Sequence, residues 1–265
     1  MQRPPPTLLF TAPMAFISAD IALPAFAALS MAAIVYAIRR LQLPWILLLW
    51  PPLWGSVFVG NPNAMLVALL LLPLGLLAVL AKVYAVFPLL GELRIRQAAA
   101  SAALLLVTVP ILPWGTYIRD YPMIQANLVA HAAHLSAWGT PLVILVAPAL
   151  ILLGRRRAGW LAVPALWPAT QLGYHALALP LARCPWLALG LSVPLPLVAP
   201  VTIMAYAAFE IRQHRRRQEQ ADARSSAMLD GCHAGGLPDH PRAEESRGRG
   251  EARDAVRGGR MTCRR

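Results

Sequence analysis

The stretch that decides the fold runs from Leu41 to Ala81 and reads LQLPWILLLWPPLWGSVFVGNPNAMLVALLLLPLGLLAVLA. It contains no charged residue and no histidine, and it is divided only by the turn Gly60-Asn61-Pro62-Asn63. A helix needs roughly 20 apolar residues to cross the hydrocarbon core of a membrane, which is about 30 Å thick. Because the stretch is about twice that length, it predicts two membrane-spanning helices joined at the turn.

The composition points to lipid as the solvent of the whole chain. Hydrophobic residues make up 58% of the 265 positions and charged residues only 14%, whereas soluble proteins have about 25% charged residues. The formal net charge of +12 would favour a nucleic-acid partner if the basic residues were clustered on a folded surface. Before Ile211 they lie instead mostly at the ends of apolar runs. The composition therefore predicts a membrane protein whose partner is the lipid bilayer, with no nucleic acid.

Seven apolar runs are suitable for spanning, and clusters of basic residues lie beside alternate ends of them. The clusters are Arg39-Arg40, Arg94 with Arg96, Arg155–Arg157, and Arg212 with Arg215–Arg217. By the positive-inside rule the side that carries these clusters is the cytoplasm. The predicted fold is all-α, a polytopic transmembrane bundle of about seven spans, with the N-terminus outside and the C-terminus cytoplasmic. The predicted runs are 19–38, 43–60, 63–82, 98–113, 139–154, 159–181 and 186–209, and the prolines of 43–60 leave a re-entrant segment as its alternative.

This pattern divides the chain into three parts. Residues 1–18 form a short outer or interfacial segment, and residues 19–211 form the transmembrane helical domain. From residue 212 the composition changes to Arg, Glu, Asp, Gly and Ser with few apolar residues, which cannot form a core. We therefore predict a disordered basic cytoplasmic tail over 212–265, held near anionic headgroups by its first arginines.

Ionisable groups at membrane depth are costly, so each one is a functional candidate. Asp20 lies near the outer end of the first run. It is predicted either as a catalytic base or metal ligand at the outer face, or as an acid that favours the N-terminus of a helix.

A second set of polar residues lies in the sixth run. Gln171, Tyr174 and His175 have the spacing i, i+3 and i+4, which puts them on one face of an α-helix. Such a face either lines a substrate cleft or forms hydrogen bonds between helices. No partner ligand accompanies His175, so no metal site is predicted there.

The longest outer loop offers a third set. Arg119 can bind a phosphate through two hydrogen bonds, or the adjacent Asp120 neutralises it. The loop continues as a predicted interfacial helix to about Trp138, and its His131 and His134 belong to a wet face or, less simply, to a metal site.

Four motifs resemble a known family. They are Pro51-Pro52-Leu53-Trp54, Gly60-Asn61-Pro62-Asn63, Ala81-Lys82-Val83-Tyr84-Ala85 and Pro88-Leu89-Leu90-Gly91-Glu92. In this order they resemble the later part of the GT-C class of membrane glycosyltransferases, and within it the GT87-like polyprenyl-phosphate-mannose transferases of bacteria. The resemblance covers roughly residues 20–210. The family has a proline where this chain has Val83.

The resemblance implies transfer of a sugar from a polyprenyl-phosphate donor to a glycan or glycolipid acceptor at the outer face of the bacterial plasma membrane. It implies Asp20 as the catalytic carboxylate, acting as base or metal ligand, with Arg119, Asp120, Gln171, Tyr174, His175, Asn61 and Asn63 around the substrate. It leaves the cofactor open, a divalent metal ion included. Because the family's acidic catalytic loop precedes the matching part, the chain is expected to begin late relative to its relatives or to be an inactive remnant.

The alternative is a non-catalytic polytopic membrane protein, either a transport component or a scaffold. It is favoured by the scarcity of charge inside the apolar runs.

Overall fold

The computed structural model describes residues 16–130 and 135–234, without the side chains of Ala19, Val129 and 225–234. Every regular element in these ranges is helical, so the predicted all-α class is confirmed for them. Three are 3₁₀ helices: Trp45–Leu49, Val83–Ala85 and Leu172–Leu181. The α-helices are α1 (Ala19–Leu41), α2 (Pro51–Phe58), α3 (Asn63–Leu71), α4 (Gly75–Ala81), α5 (Val86–Gly91), α6 (Ile95–Thr108), α7 (Trp114–Ala130), α8 (Val143–Leu152), α9 (Arg155–Leu166), α10 (Pro185–Ser192) and α11 (Val198–Ala234).

Helix α1 coincides with the first predicted span. Its residues from Asp20 to Leu41 have a mean hydropathy of 2.2, and only 22% of its most apolar window is buried. The buried residues lie on one face of the second half, at Ser30, Ile34, Ala37 and Ile38. Helix α1 therefore packs against the core by its C-terminal half, while its N-terminal half exposes apolar side chains.

The described residues contain fewer long apolar helices than the seven predicted spans. By length and composition, α1 alone is able to cross a membrane, or α1 together with the pair α2 and α3 if that pair counts as one broken span. The axes of α2 and α3 are bent by 113° at the Gly60–Asn63 turn.

Prolines interrupt most of the other predicted spans. Leu72 and Trp167 adopt extended backbone conformations, with ψ of 166° and 133°, and each precedes a proline. The proline ring clashes with a helical conformation of the residue before it, so the helix ends there. Trp50 before Pro51 and Val193 before Pro194 are extended for the same reason. The predicted spans that these four breaks interrupt are 43–60, 63–82, 159–181 and 186–209.

Two hydrogen bonds do not fit the predicted sides of the membrane. The Tyr84 hydroxyl donates to Oδ1 of Asn63, which joins the two ends of the predicted span 63–82. Arg183 donates to the carbonyl oxygen of Leu41 at 2.6 Å, although the sequence predicts Arg183 outside and Leu41 inside. Because opposite faces of a membrane are about 30 Å apart, these two contacts do not fit a membrane crossing between the residues of either pair.

Two glycines bring α5 and α9 into backbone contact. A Cβ atom on Gly159 would lie 2.6 Å from the carbonyl oxygen of Phe87, and one on Gly91 would lie 2.7 Å from that of Arg155. Only glycine permits this approach. The crossing places Glu92, at the end of α5, beside Arg156 and Trp160 of α9, with Arg156 Nε 3.7 Å and Trp160 Nε1 3.2 Å from Glu92 Oε1.

The C-terminal part differs from the predicted disordered tail. The chain divides into a compact unit that ends at Arg216 and a second unit that begins at Arg217. The residues from 212 to 234 are helical, as part of α11. Their Arg, Gln, Glu and Ala residues have high intrinsic helix propensity, which favours a helix although the segment cannot form a core. Residues 235–265 lie outside the described residues, as do residues 1–15 of the predicted N-terminal segment.

Arg94 compensates for helix hydrogen bonds that are lost at the break before Pro73. Its guanidinium donates to the carbonyl oxygens of Leu70 and Leu72, the latter at 2.8 Å. Gln97 donates to the carbonyl oxygen of Pro73 at 3.3 Å. Arg94, just before α6, and Gln97 of α6 thus satisfy acceptors that the break between α3 and α4 leaves open.

Arg94→Met is therefore expected to lower the stability of the fold by about 1–3 kcal/mol, because half-buried carbonyl groups lose charge-assisted hydrogen bonds. Arg96→Met is the matched control, since the Arg96 side chain is exposed and has no partner among the described residues. The measurement is the thermal unfolding midpoint of each purified variant in detergent. Equal midpoints for the two variants would contradict the capping role of Arg94.

Candidate functional site

A buried group of hydrogen-bonded residues joins α2, α3 and the two 3₁₀ helices that follow Lys82 and Gln171. Ser56 Oγ and Asn63 Nδ2 both donate to the carbonyl oxygen of Gly173, each at 2.9 Å. The Tyr84 hydroxyl donates to Asn63 Oδ1. We call Ser56, Asn63, Tyr84 and Gly173 the buried polar cluster. The side chains of Ser56 and Asn63 are fully buried, and Tyr84 is 3% exposed.

The cluster depends on a close approach of two backbones. A Cβ atom on Gly173 would lie 3.1 Å from the nitrogen of Ser56, and one on Gly55 would lie 3.4 Å from the nitrogen of Gly173. Two small residues in a row on α2 and a glycine opposite therefore let the Ser56 hydroxyl reach a main-chain carbonyl. The Gly173 oxygen uses both of its lone pairs, because it accepts two hydrogen bonds.

Aromatic rings and one cation surround the cluster. The Tyr84 ring lies edge-on to Trp167 at 5.1 Å between centroids and is tilted against Tyr174 at 5.4 Å. Lys82 Nζ lies 5.9 Å from the ring centroid of Tyr84 and 6.0 Å from that of Tyr174. A cation at this distance from an aromatic face is attracted by the negative charge of the π system. Lys82 is half-buried and thus combines a positive charge with an aromatic wall.

Several buried polar atoms in the neighbouring sequence have no hydrogen-bond partner among the described residues. They are Asn61 Oδ1, Thr170 Oγ1 and His175 Nε2. The backbone nitrogen of Asn61 donates to the carbonyl oxygen of Ser56 at 2.8 Å, so Asn61 adjoins the cluster directly. Buried polar atoms usually have a partner, so this part of the fold has capacity to bind water or a polar ligand.

The predicted stripe of Gln171, Tyr174 and His175 differs from what the structure has. The break at Trp167-Pro168 ends α9, Gln171 is extended with ψ of 166°, and a 3₁₀ helix begins only at Leu172. These residues therefore do not share one face of an α-helix. Tyr174 contacts Tyr84, whereas the fully buried His175 has Nδ1 2.7 Å from the carbonyl oxygen of Leu191. His175 therefore lies within hydrogen-bond distance of α10, which agrees with the predicted alternative of hydrogen bonds between helices.

The other predicted site residues lie elsewhere. Asp20 is exposed in the first turn of α1, and its side chain has no hydrogen bond or ion pair with another described residue. Arg119 Nε lies 3.1 Å from Asp120 Oδ1, and 76% of the Arg119 side chain is exposed. Asp120 thus neutralises Arg119 within α7. The structure shows no contact between these three residues and the buried polar cluster.

Helix α7 occupies the predicted interfacial segment as far as Ala130, and residues 131–134 lie outside the described residues. Trp114, Tyr117 and Tyr121 form a row on it, with centroids 6.1 and 6.0 Å apart. Partial burial, and then the neighbouring Tyr121, raise the pKa of the Tyr117 hydroxyl. His131 and His134 lie outside the described residues. Within the described residues no three side chains of His, Cys, Asp and Glu are close enough to hold a metal ion.

Comparisons with protein-family models, with curated proteins and with solved structures found no match to this chain. The candidate site therefore rests on its own geometry.

Of the predicted site residues, Asn61, Asn63 and Tyr174 come together in or beside the cluster. The predicted site residues did not include Ser56, Lys82 and Tyr84. A signal for Lys82 was present, because it is the only charged residue between Arg40 and Glu92. No short-range pattern marks Ser56, since its partner Gly173 lies 117 positions away.

Tyr84→Phe is expected to destabilise the fold by about 1–3 kcal/mol, because Asn63 Oδ1 stays buried without a donor. Tyr36→Phe is the control, since the Tyr36 hydroxyl has no partner among the described residues. Thermal unfolding in detergent measures both.

The double variant Tyr84→Phe/Asn63→Leu tests the pair itself. It is expected to cost less than the sum of the two single changes, because both remove one shared bond. Strict additivity would show that the two side chains do not interact.

Proposed function

We propose that this chain is an integral membrane protein that binds a polyprenyl-phosphate sugar at the buried polar cluster, as part of glycosyl transfer. The observation that carries the proposal is the hydrogen bond between Asn63 and Tyr84. It brings together the Gly60–Asn63 turn and the segment that contains Lys82, and these are two of the motifs that resemble the glycosyltransferase family. The turn and Lys82 then serve one site on one side of the membrane.

Exposed apolar surface supports the membrane location. Helix α8 carries no charged side chain and exposes Ile144, Leu145, Ile151 and Leu152, each by more than half. A soluble monomer rarely leaves such surface uncovered, whereas lipid tails cover it without cost. The aromatic row on α7 suits the membrane interface, where tyrosine and tryptophan are enriched. In this proposal the protein is polytopic, and the segments that proline breaks enter the bacterial plasma membrane as paired short helices.

The surroundings of Lys82 match the chemistry of the donor. A lysine ammonium group binds phosphate as a point charge, and its attraction strengthens where water is scarce. The rings of Tyr84, Trp167 and Tyr174 supply flat apolar surface next to that charge. The buried amide of Asn63 and the nearby Asn61 supply hydrogen-bonding groups of the kind that sugar hydroxyls need.

Catalysis needs a carboxylate in addition, and Asp20 is the residue we propose for it. Among the described residues Glu92 contacts Arg156 and Trp160, Glu210 contacts Arg157, and Asp120 contacts Arg119. Asp20 alone of these acids lies near the apolar end of a long helix without a cation beside it. If transfer of labelled sugar is unchanged in Asp20→Asn, this role is excluded.

The second candidate is a non-catalytic polytopic protein, a transport component or scaffold. It is favoured by one observation: the hydrogen bonds of Ser56, Asn63 and Tyr84 involve no carboxylate. Binding of the lipid-linked sugar without transfer would support this candidate over an enzyme.

Cysteine labelling tests on which side of the membrane Arg183 lies. In a chain without Cys184, Cys232 and Cys263, single substitutions Arg40→Cys and Pro185→Cys are introduced at exposed positions. Because Arg183 contacts Leu41, a membrane-impermeant maleimide is expected to label both from the same side of the membrane. Labelling from opposite sides would support the predicted seven alternating spans instead.

The donor site is tested by binding. Membranes that contain the full chain are incubated with a photoreactive polyprenyl-phosphate mannose, and the crosslinked protein is counted. Lys82→Met is expected to reduce crosslinking about tenfold, the effect of losing roughly 1.4 kcal/mol of charge attraction. Lys82→Arg should retain most of it.

Arg96→Met is the matched control, since it also removes one positive charge, from an exposed residue. Equal loss in Lys82→Met and Arg96→Met, or no loss in either, would contradict the assigned site. The unfolding midpoint of each variant separates loss of binding from loss of fold.

A further inference from the structure

A second feature of the surface lies at the crossing of α5 and α9. Gly91, Glu92, Arg155 and Arg156 line an open cleft of about 250 Å³. The cleft exists because Gly91 and Gly159 let the two helices touch, which brings the end of α5 against the beginning of α9. It shares no residue with the buried polar cluster.

The charges in the cleft favour an anion. Arg155 is exposed and has no hydrogen bond or ion pair with another described residue. Arg156 Nε lies 3.7 Å from Glu92 Oε1, which is too long for a hydrogen bond, and 79% of the Arg156 side chain is exposed. Glu92 opposes anion binding, but the same oxygen accepts a hydrogen bond from Trp160 Nε1 at 3.2 Å. Two guanidinium groups against one carboxylate leave one net positive charge.

Exposed apolar side chains lie close in sequence to the cleft residues, around the end of α5 and at the end of α8. Leu90 and Leu93, beside Gly91 and Glu92, are 45% and 51% exposed. Ile151 and Leu152, just before the arginines, are 77% and 66% exposed. A small inorganic anion would satisfy the arginines and leave this surface uncovered. An amphiphile with an anionic head and apolar chains matches both parts at once.

We propose that the cleft binds the phosphate of an anionic glycerophospholipid, with its acyl chains along Ile151, Leu152, Leu90 and Leu93. The planar guanidinium groups of Arg155 and Arg156 donate paired hydrogen bonds to the phosphate oxygens. Electrostatic attraction of basic residues to anionic lipid is worth about a fivefold change in affinity for each residue. The occupant is a bilayer lipid, and the site serves to anchor this end of the helical unit at the headgroup level.

The test uses the purified full-length chain in a nonionic detergent, titrated with dioctanoyl phosphatidylglycerol. Native mass spectrometry counts the retained lipid and gives an apparent Kd. Arg155→Gln/Arg156→Gln is expected to weaken binding roughly ten- to thirtyfold. The matched control is Arg39→Gln/Arg40→Gln, which removes the same charge from two adjacent exposed residues at the end of α1 and should change the Kd less than twofold. Arg155→Lys/Arg156→Lys keeps the charge and should bind at an intermediate level.

Four results would overturn the proposal. They are equal weakening in both arginine pairs, unchanged binding in Arg155→Gln/Arg156→Gln, equal retention of dioctanoyl phosphatidylcholine, and displacement of the lipid by inorganic phosphate. Preferential retention of polyprenyl phosphate over phosphatidylglycerol would reassign the cleft to the donor lipid. Lys82→Met should leave phosphatidylglycerol binding unchanged, so failure here and failure of the donor site are distinguishable.

Discussion

The helical conformation is disfavoured for a residue that precedes proline, and the architecture of this chain depends on the places where this constraint ends a helix. At Leu72-Pro73 it ends α3 and lets α4 fold back, so that Tyr84 returns to Asn63 at the beginning of α3. At Trp167-Pro168 it ends α9 and releases the segment whose Gly173 meets Ser56. The buried polar cluster is therefore a product of two breaks in otherwise apolar segments.

Each break frees carbonyl oxygens that water cannot reach in an apolar setting, and long or polar side chains satisfy them. Arg94 donates to the carbonyl oxygens before Pro73, and Ser136 Oγ donates to that of Trp167 at 2.7 Å. Trp50 Nε1 donates to the carbonyl oxygen of Ala188 at 2.8 Å. An unsatisfied carbonyl buried in such surroundings costs about 1–3 kcal/mol. Many polar residues in this fold are accordingly structural, and a polar residue in an apolar run is weak evidence for function by itself.

The sequence predicts the helical class and α1 because both depend on properties summed along the chain, namely hydropathy and length. The breaks between the short helices are missed when prolines are treated simply as members of an apolar run. Pro73 and Pro168 are nevertheless present in the sequence. The site could be predicted only in part. Asn63 and Tyr174 stand out locally as polar groups, whereas Ser56 and Gly173 meet only once the chain has folded. The one-face stripe of Gln171, Tyr174 and His175 assumed 3.6 residues per turn where the chain forms an extended residue and a 3₁₀ helix.

The residues beside the buried polar cluster decide what kind of ligand it suits. A half-buried ammonium group pays a desolvation cost, and the faces of Tyr84 and Tyr174 offset part of it. A ligand phosphate at the same place would offset more, since it carries a full negative charge into a setting of low dielectric. Proton transfer asks for a different residue type, a carboxylate or a neutral imidazole, and neither takes part in the hydrogen bonds of the cluster, since His175 Nδ1 lies against the carbonyl oxygen of Leu191 instead. The geometry around Lys82 therefore suits an anion, and in the proposed enzyme the acid that acts on the bound sugar comes from another segment, as Asp20 does.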